Sequence, residues 1–78
     1  VVSALFFGPL VDLVGCRRDE LDGRTINELV LEAQRRYGDA TALALRSCSI
    51  WVDGEPIARD VEIPERSEVA FLPPVSGG

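Results

Sequence analysis

An α+β fold, in which a small mixed sheet packs on one main helix, is what the order of patterns along these 78 residues predicts. Three observations carry it. Thr25 to Tyr37 alone holds a sustained helical period. Short β-branched and aromatic runs flank it, and an Asp-Gly pair after it marks a hairpin. A usual domain has about 100 to 150 residues, so this length holds one compact domain and leaves no room for a second catalytic or cofactor domain.

Val1 to Phe7 is an apolar run that Gly8-Pro9 stops, which reads as a buried strand. Pro9 suits the first turn of a brief helix, with Leu10, Leu13 and Val14 at helical spacing and Gly15 closing it. Arg17 to Leu21 is charged, so as a strand it belongs near an edge, where charge blocks unwanted pairing. Asp22-Gly23 marks a turn.

Thr25 with Glu28 forms a capping box that satisfies amide donors at a helix start. Ile26, Leu29, Val30, Ala33 and Tyr37 then make a one-sided stripe, with Glu32, Gln34, Arg35 and Arg36 turned to water. Gly38 is expected to end the helix as a left-handed cap, and Arg35 and Arg36 complement the dipole. Asp39 could cap a further short helical piece through Ala42, Leu43 and Leu45.

Ile50 and Val52 alternate with Ser49 and Trp51, and Asp53-Gly54 follows as the hairpin turn. Ile57, Val61 and Ile63 supply a loose apolar series, Pro64 to Ser67 reads as a turn, and Glu68 to Leu72 as the last strand. The order is strand, strand, helix, then two or three strands. Trp51 is expected to pack in the core or half-exposed rather than to bind.

Thirteen acidic against eight basic residues give a net charge of -5, so a phosphate backbone is repelled and a basic protein surface is the better electrostatic partner. No nucleic acid and no membrane partner is expected. The absence of His excludes Ser-His, Cys-His and His-metal arrangements. All basic residues are Arg, which removes amine nucleophiles, Schiff bases and side-chain isopeptide acceptors. An enzyme working alone on these residues is therefore not expected. Cys16 and Cys48 form neither a CxxC pair nor a ligand cluster and read as buried or half-buried thiols. Val1 to Phe7 is too short for a signal core, and a cytoplasmic location is expected.

Composition changes abruptly after Leu72, to Pro73, Pro74, Val75, Ser76, Gly77 and Gly78. Residues 1–72 read as the domain and residues 73–78 as an extended tail. The prolines stiffen its exit, and the glycines make its end narrow. A carboxylate there is inert as an acyl donor until its oxygen becomes part of a good leaving group.

From Leu5-Phe6-Phe7-Gly8 to the ending Glu68-Val69-Ala70-Phe71-Leu72-Pro73-Pro74-Val75-Ser76-Gly77-Gly78, the chain resembles the MoaD family, the ubiquitin-like sulfur-carrying small subunits of molybdopterin synthase. The resemblance spans nearly the whole chain. Arg17 to Gly38 matches by pattern only, and the proline pair favours this branch over the related thiazole carriers.

The resemblance implies a β-grasp fold and a chemistry. Gly78 is the implied reactive residue: its carboxylate is adenylated and then converted to a thiocarboxylate. That sulfur goes to a cyclic pterin precursor to make molybdopterin. Implied partners are a MoaE-like large synthase subunit that holds the active site, a MoaB/MoeB-like activating enzyme and a sulfur-donor protein. No cofactor is implied on this chain, since ATP is used by the adenylating partner. Gly77, Ser76, Val75, Pro74, Pro73, Leu72 and Phe7 are the implied partner-binding residues. For Phe7 and Leu72 core packing stays an alternative, because sequence does not fix the phase of the sheet; if they face outward, Phe6 and Phe71 face inward. Two other readings remain: a sulfur carrier for thiazole, cysteine or transfer-RNA thiolation, and a β-grasp interaction module that is never activated.

Overall fold

A computed structural model of the chain describes residues 1–74; Val75, Ser76, Gly77 and Gly78 lie outside the described residues. The elements run β1 (Val2–Phe6), α1 (Leu10–Val14), β2 (Arg18–Leu21), α2 (Ile26–Tyr37), α3 (Asp39–Arg46), β3 (Ser49–Val52), β4 (Glu55–Pro56) and β5 (Glu68–Leu72). The five strands form one mixed sheet in the order β2-β1-β5-β3-β4. Its centre is a parallel pair, β1 against β5, with Phe6 opposite Phe71. The β1–β2, β3–β5 and β3–β4 pairs are antiparallel. The charged β2 is an edge strand, as its composition predicts.

Strand alternation sorts the sheet into two faces. Val2, Ala4 and Phe6 of β1, Val69 and Phe71 of β5, and Ile50 and Val52 of β3 are all buried. The apolar stripe of α2 meets them: Ile26, Leu29, Val30 and Ala33 are buried, and Tyr37 is half-buried. Ser3, Leu5, Ala70, Leu72, Ser49 and Trp51 lie on the opposite, open face and are exposed or half-buried.

Local chemistry explains the element ends, with some departures from the sequence expectation. Thr25 Oγ1 accepts the Glu28 amide at 3.2 Å, but Glu28 Oε1 takes the amide of Arg24, at 3.0 Å, instead of that of Thr25. Gly38 adopts φ 104 and ψ 174, not a left-handed helical cap. It is a corner, because it also precedes α3, a full eight-residue helix that buries Thr41, Ala42 and Leu45. Glu32 is not turned to water; Arg35 and Arg36 cover its carboxylate, and its side chain is 11% exposed. Leu13, expected on the apolar side of α1, is 44% exposed.

Asp53 and Gly54 both take positive φ, 50 and 86, as a two-residue mirror-image hairpin requires. The series Ile57, Val61, Ile63 forms no named strand; Ile63 is buried, Val61 is exposed, and Glu62 bridges Thr25. Among the described residues no helix is long and apolar enough to cross a membrane.

Candidate functional site

The site grows from the end of the central parallel pair. Phe6 and Phe71 are 2% and 0% exposed, whereas Phe7 is 42% exposed and Leu72 is half-buried. The phase of the sheet therefore turns Phe6 and Phe71 to the core and leaves Phe7 and Leu72 available. Leu72 is the last ladder residue, opposite Ser49. Pro73 follows with no amide to donate, which ends the pairing, and Pro74 is exposed. The tail thus leaves from the middle of the sheet and not from an edge.

Sequence reasoning did not place the neighbours of this exit. Leu5 and Trp51 both register with Ala70, so the three cross the open face in one row over β1, β5 and β3. Trp51, expected in the core or half-exposed, is 38% exposed on the open face. Beside the exit, Leu5, Phe7, Gly8, Val11 and Arg17 line a shallow groove. Alternation and parallel pairing could have placed this row, but the register is visible only in the folded sheet. Farther along the same face Arg18 pairs with Glu68 at 2.8 Å.

The groups with shifted ionisation lie elsewhere. Asp19 registers with buried Ala4, on the helix side of the sheet, and accepts from the Tyr37 hydroxyl and from Arg36. The Tyr37 hydrogen bond, together with the Glu20 amide, holds the Asp19 carboxyl below its ordinary value. Burial, then the Asp19 contact, pushes Tyr37 up to about 12. Burial pushes the Cys48 thiol up, and its Sγ donates to the Ala44 carbonyl at 3.3 Å. Cys16 is half-buried. Among the described residues no group of His, Cys, Asp or Glu could hold a metal ion. The exit is thus a mainly apolar surface beside the proline pair Pro73-Pro74, suited to docking.

A mixed five-stranded sheet on a main helix, with the last strand central between β1 and β3, defines a ubiquitin-like β-grasp domain. The chain belongs to the ThiS family, the ThiS/MoaD-like ubiquitin-like sulfur carriers, which it matches over residues 4–78. No curated protein matches it by sequence.

Solved structures share the fold. A chain of the Amycolatopsis orientalis BexX/CysO complex is 20% identical at a TM-score of 0.84, with 100% of both chains covered. The small archaeal modifier protein 1 of Methanosarcina acetivorans is 21% identical at a TM-score of 0.84, over 99% of this chain and 95% of that one. A chain of the complex of subunits 1 and 2 of the Helicobacter pylori molybdopterin-converting factor is 24% identical at a TM-score of 0.69, over 99% and 97%.

Proposed function

We propose that this chain is the sulfur-carrying small subunit of a molybdopterin synthase. The observation that most supports the reading is the exit geometry: Leu72-Pro73-Pro74 leaves the sheet centre beside an available Phe7 on an apolar face. The proline pair in the ending Pro73-Pro74-Val75-Ser76-Gly77-Gly78 favours this branch over the related thiazole carriers. The H. pylori subunit 1 neighbour, solved together with subunit 2, supports a MoaE-like large subunit as partner.

The chemistry is divided between partners. A MoaB/MoeB-like enzyme joins the Gly78 carboxylate to AMP from ATP, releasing pyrophosphate. A donor protein's sulfur then replaces AMP and leaves a thiocarboxylate. The large subunit receives the narrow Gly77-Gly78 end, and each loaded chain passes one of the two dithiolene sulfurs to a cyclic pterin precursor, its Gly78 returning to the carboxylate with an oxygen from the precursor or water. The carrier binds no cofactor of its own, works in the cytoplasm and needs neither His nor Lys.

Incubation with ATP, the activating enzyme and a sulfur donor, followed by intact-mass measurement, tests the carrier. Replacement of one oxygen by sulfur is expected; an unchanged mass would make the chain a plain β-grasp interaction module. Reaction of the loaded chain with the large subunit and the cyclic pterin tests the pathway. Loading without dithiolene formation would move it to thiazole, cysteine or transfer-RNA thiolation.

A further inference from the structure

We propose that Gly8 is a positioning residue for the tail: its bare Cα is the seat of the Pro73 ring, and this seat sets the direction in which the chain leaves the sheet. The inference rests on the reading of the tail as the sulfur-bearing end. The parallel ladder pairs Ser3 with Glu68 and runs to Phe6 with Phe71. Carried two residues further, the same offset puts Gly8 opposite Pro73. The contact is close, for a Cβ on Gly8 would stand 3.3 Å from Pro73 Cγ, inside the usual carbon–carbon separation of about 3.5 to 4.0 Å. Gly8 also holds φ +58, which disfavours most side chains.

The seat is firm on one side and soft on the other. The Phe7 carbonyl accepts the Leu10 amide and the Gly8 carbonyl the Val11 amide, each at 3.2 Å, and Leu10 is 2% exposed. The turn carrying Gly8 is therefore tied to α1 and to the core. Pro73, past the last ladder position, has no amide to anchor it. A side chain at position 8 displaces the proline before it displaces the turn, and a stiff proline pair passes the change of direction outward. Since small misplacements of a reacting group lower rates steeply, the effect belongs in turnover and not in docking of the globule.

Gly8→Asn isolates the contact, because Asn tolerates positive φ and keeps the turn. Two readouts decide. In the free wild-type chain, an NMR cross-peak between the Gly8 α-protons and the Pro73 ring is expected; its absence would overturn the seat. In sulfur loading, Gly8→Asn is expected to lower kcat about tenfold or more, with KM within about twofold. Pro73→Ala, which empties the seat, is expected to lower kcat by itself, and adding it to Gly8→Asn to cost little more, since both variants break the same contact. Unchanged kcat in folded Gly8→Asn, or losses that simply multiply in the double variant, would refute the positioning role. If the cross-peak is present but the wild type takes no sulfur, the seat stands and the sulfur-carrier reading fails.

Discussion

The rings of Phe6 and Phe71 stack 5.8 Å apart and 11° from parallel, on residues directly paired in the parallel ladder. Tyr37 meets Phe6 edge-on at 6.1 Å, so helix and sheet are joined where β1 and β5 end. This stack fixes which residues flank the exit. With Phe6 and Phe71 inside, strand alternation keeps Phe7 and Leu72 out of the core.

Phe71→Ala is accordingly expected to cost about 3 to 5 kcal/mol, a large share of the about 5 to 15 kcal/mol that holds a typical domain. Phe7→Ala should leave the urea midpoint nearly unchanged and weaken capture of the large subunit. Denaturation and calorimetric titration of both variants check the pair. A Phe7→Ala protein as unstable as Phe71→Ala would put Phe7 in the core.

Arg59 closes the C-terminal end of α3 from a distant loop. Its Nη2 donates to the carbonyls of Leu45 and Arg46 in the last turn of the helix and of Cys48 just beyond it. Arg59→Ala is expected to lower stability by about 1 to 3 kcal/mol, because those carbonyls lose a charged donor. Arg59→Lys should recover only part of this, since an ammonium lacks the planar donor set. Urea melts of both variants supply the measurement, and a silent Arg59→Ala would show that water replaces the guanidinium freely.

Features governed by neighbours in sequence were readable in advance. The Thr25 cap, the stripe from Ile26 to Ala33, the Asp53-Gly54 turn and the edge placement of β2 each depend on spacing or composition over a few residues. What escaped depends on distant contacts. Gly38 serves two helices at once, so its conformation answers to the packing of α3 and not to the end of α2 alone. The Ile57 to Ile63 series is irregular because Arg59 and Glu62 turn toward α3 and Thr25. At the candidate site the end of the ladder at Pro73-Pro74 was legible from composition, whereas the row of Leu5, Ala70 and Trp51 and the Gly8–Pro73 contact required the register of three strands.

Asp19 and Tyr37 make the stability of the domain depend on pH at both extremes. The folded carboxyl of Asp19 is held below its ordinary value, so its contribution is present above the unfolded pKa and is lost as pH falls through the folded one. Tyr37 is shifted the other way, from 10 up to about 12, so its contribution is intact below pH 10 and is lost as pH rises through about 12. Tyr37→Phe is expected to flatten the alkaline limb of the stability curve and to soften the acid limb, because Asp19 loses its first hydrogen-bond partner. Asp19→Asn should flatten the acid limb. Urea midpoints across pH, with an unaltered acid limb in Asp19→Asn as the contrary result, decide it.

Removal of Gly77 and Gly78 separates fold from chemistry. The last buried residue among those described is Phe71, and the ladder ends at Leu72, so the truncated chain is expected to melt with the full one. Sulfur loading should disappear, because the carboxylate then sits on Ser76, two residues short of the nucleotide. Gly78→Val keeps the length but adds a branched side chain, and is expected to fail as well while folding normally. The comparison of the two is informative. If Gly78→Val loads sulfur and the truncation does not, reach alone governs the reaction; if both fail, the partner also reads the absence of a side chain. Loading of the truncated chain at the full rate, measured by intact mass, would remove Gly78 from the chemistry altogether.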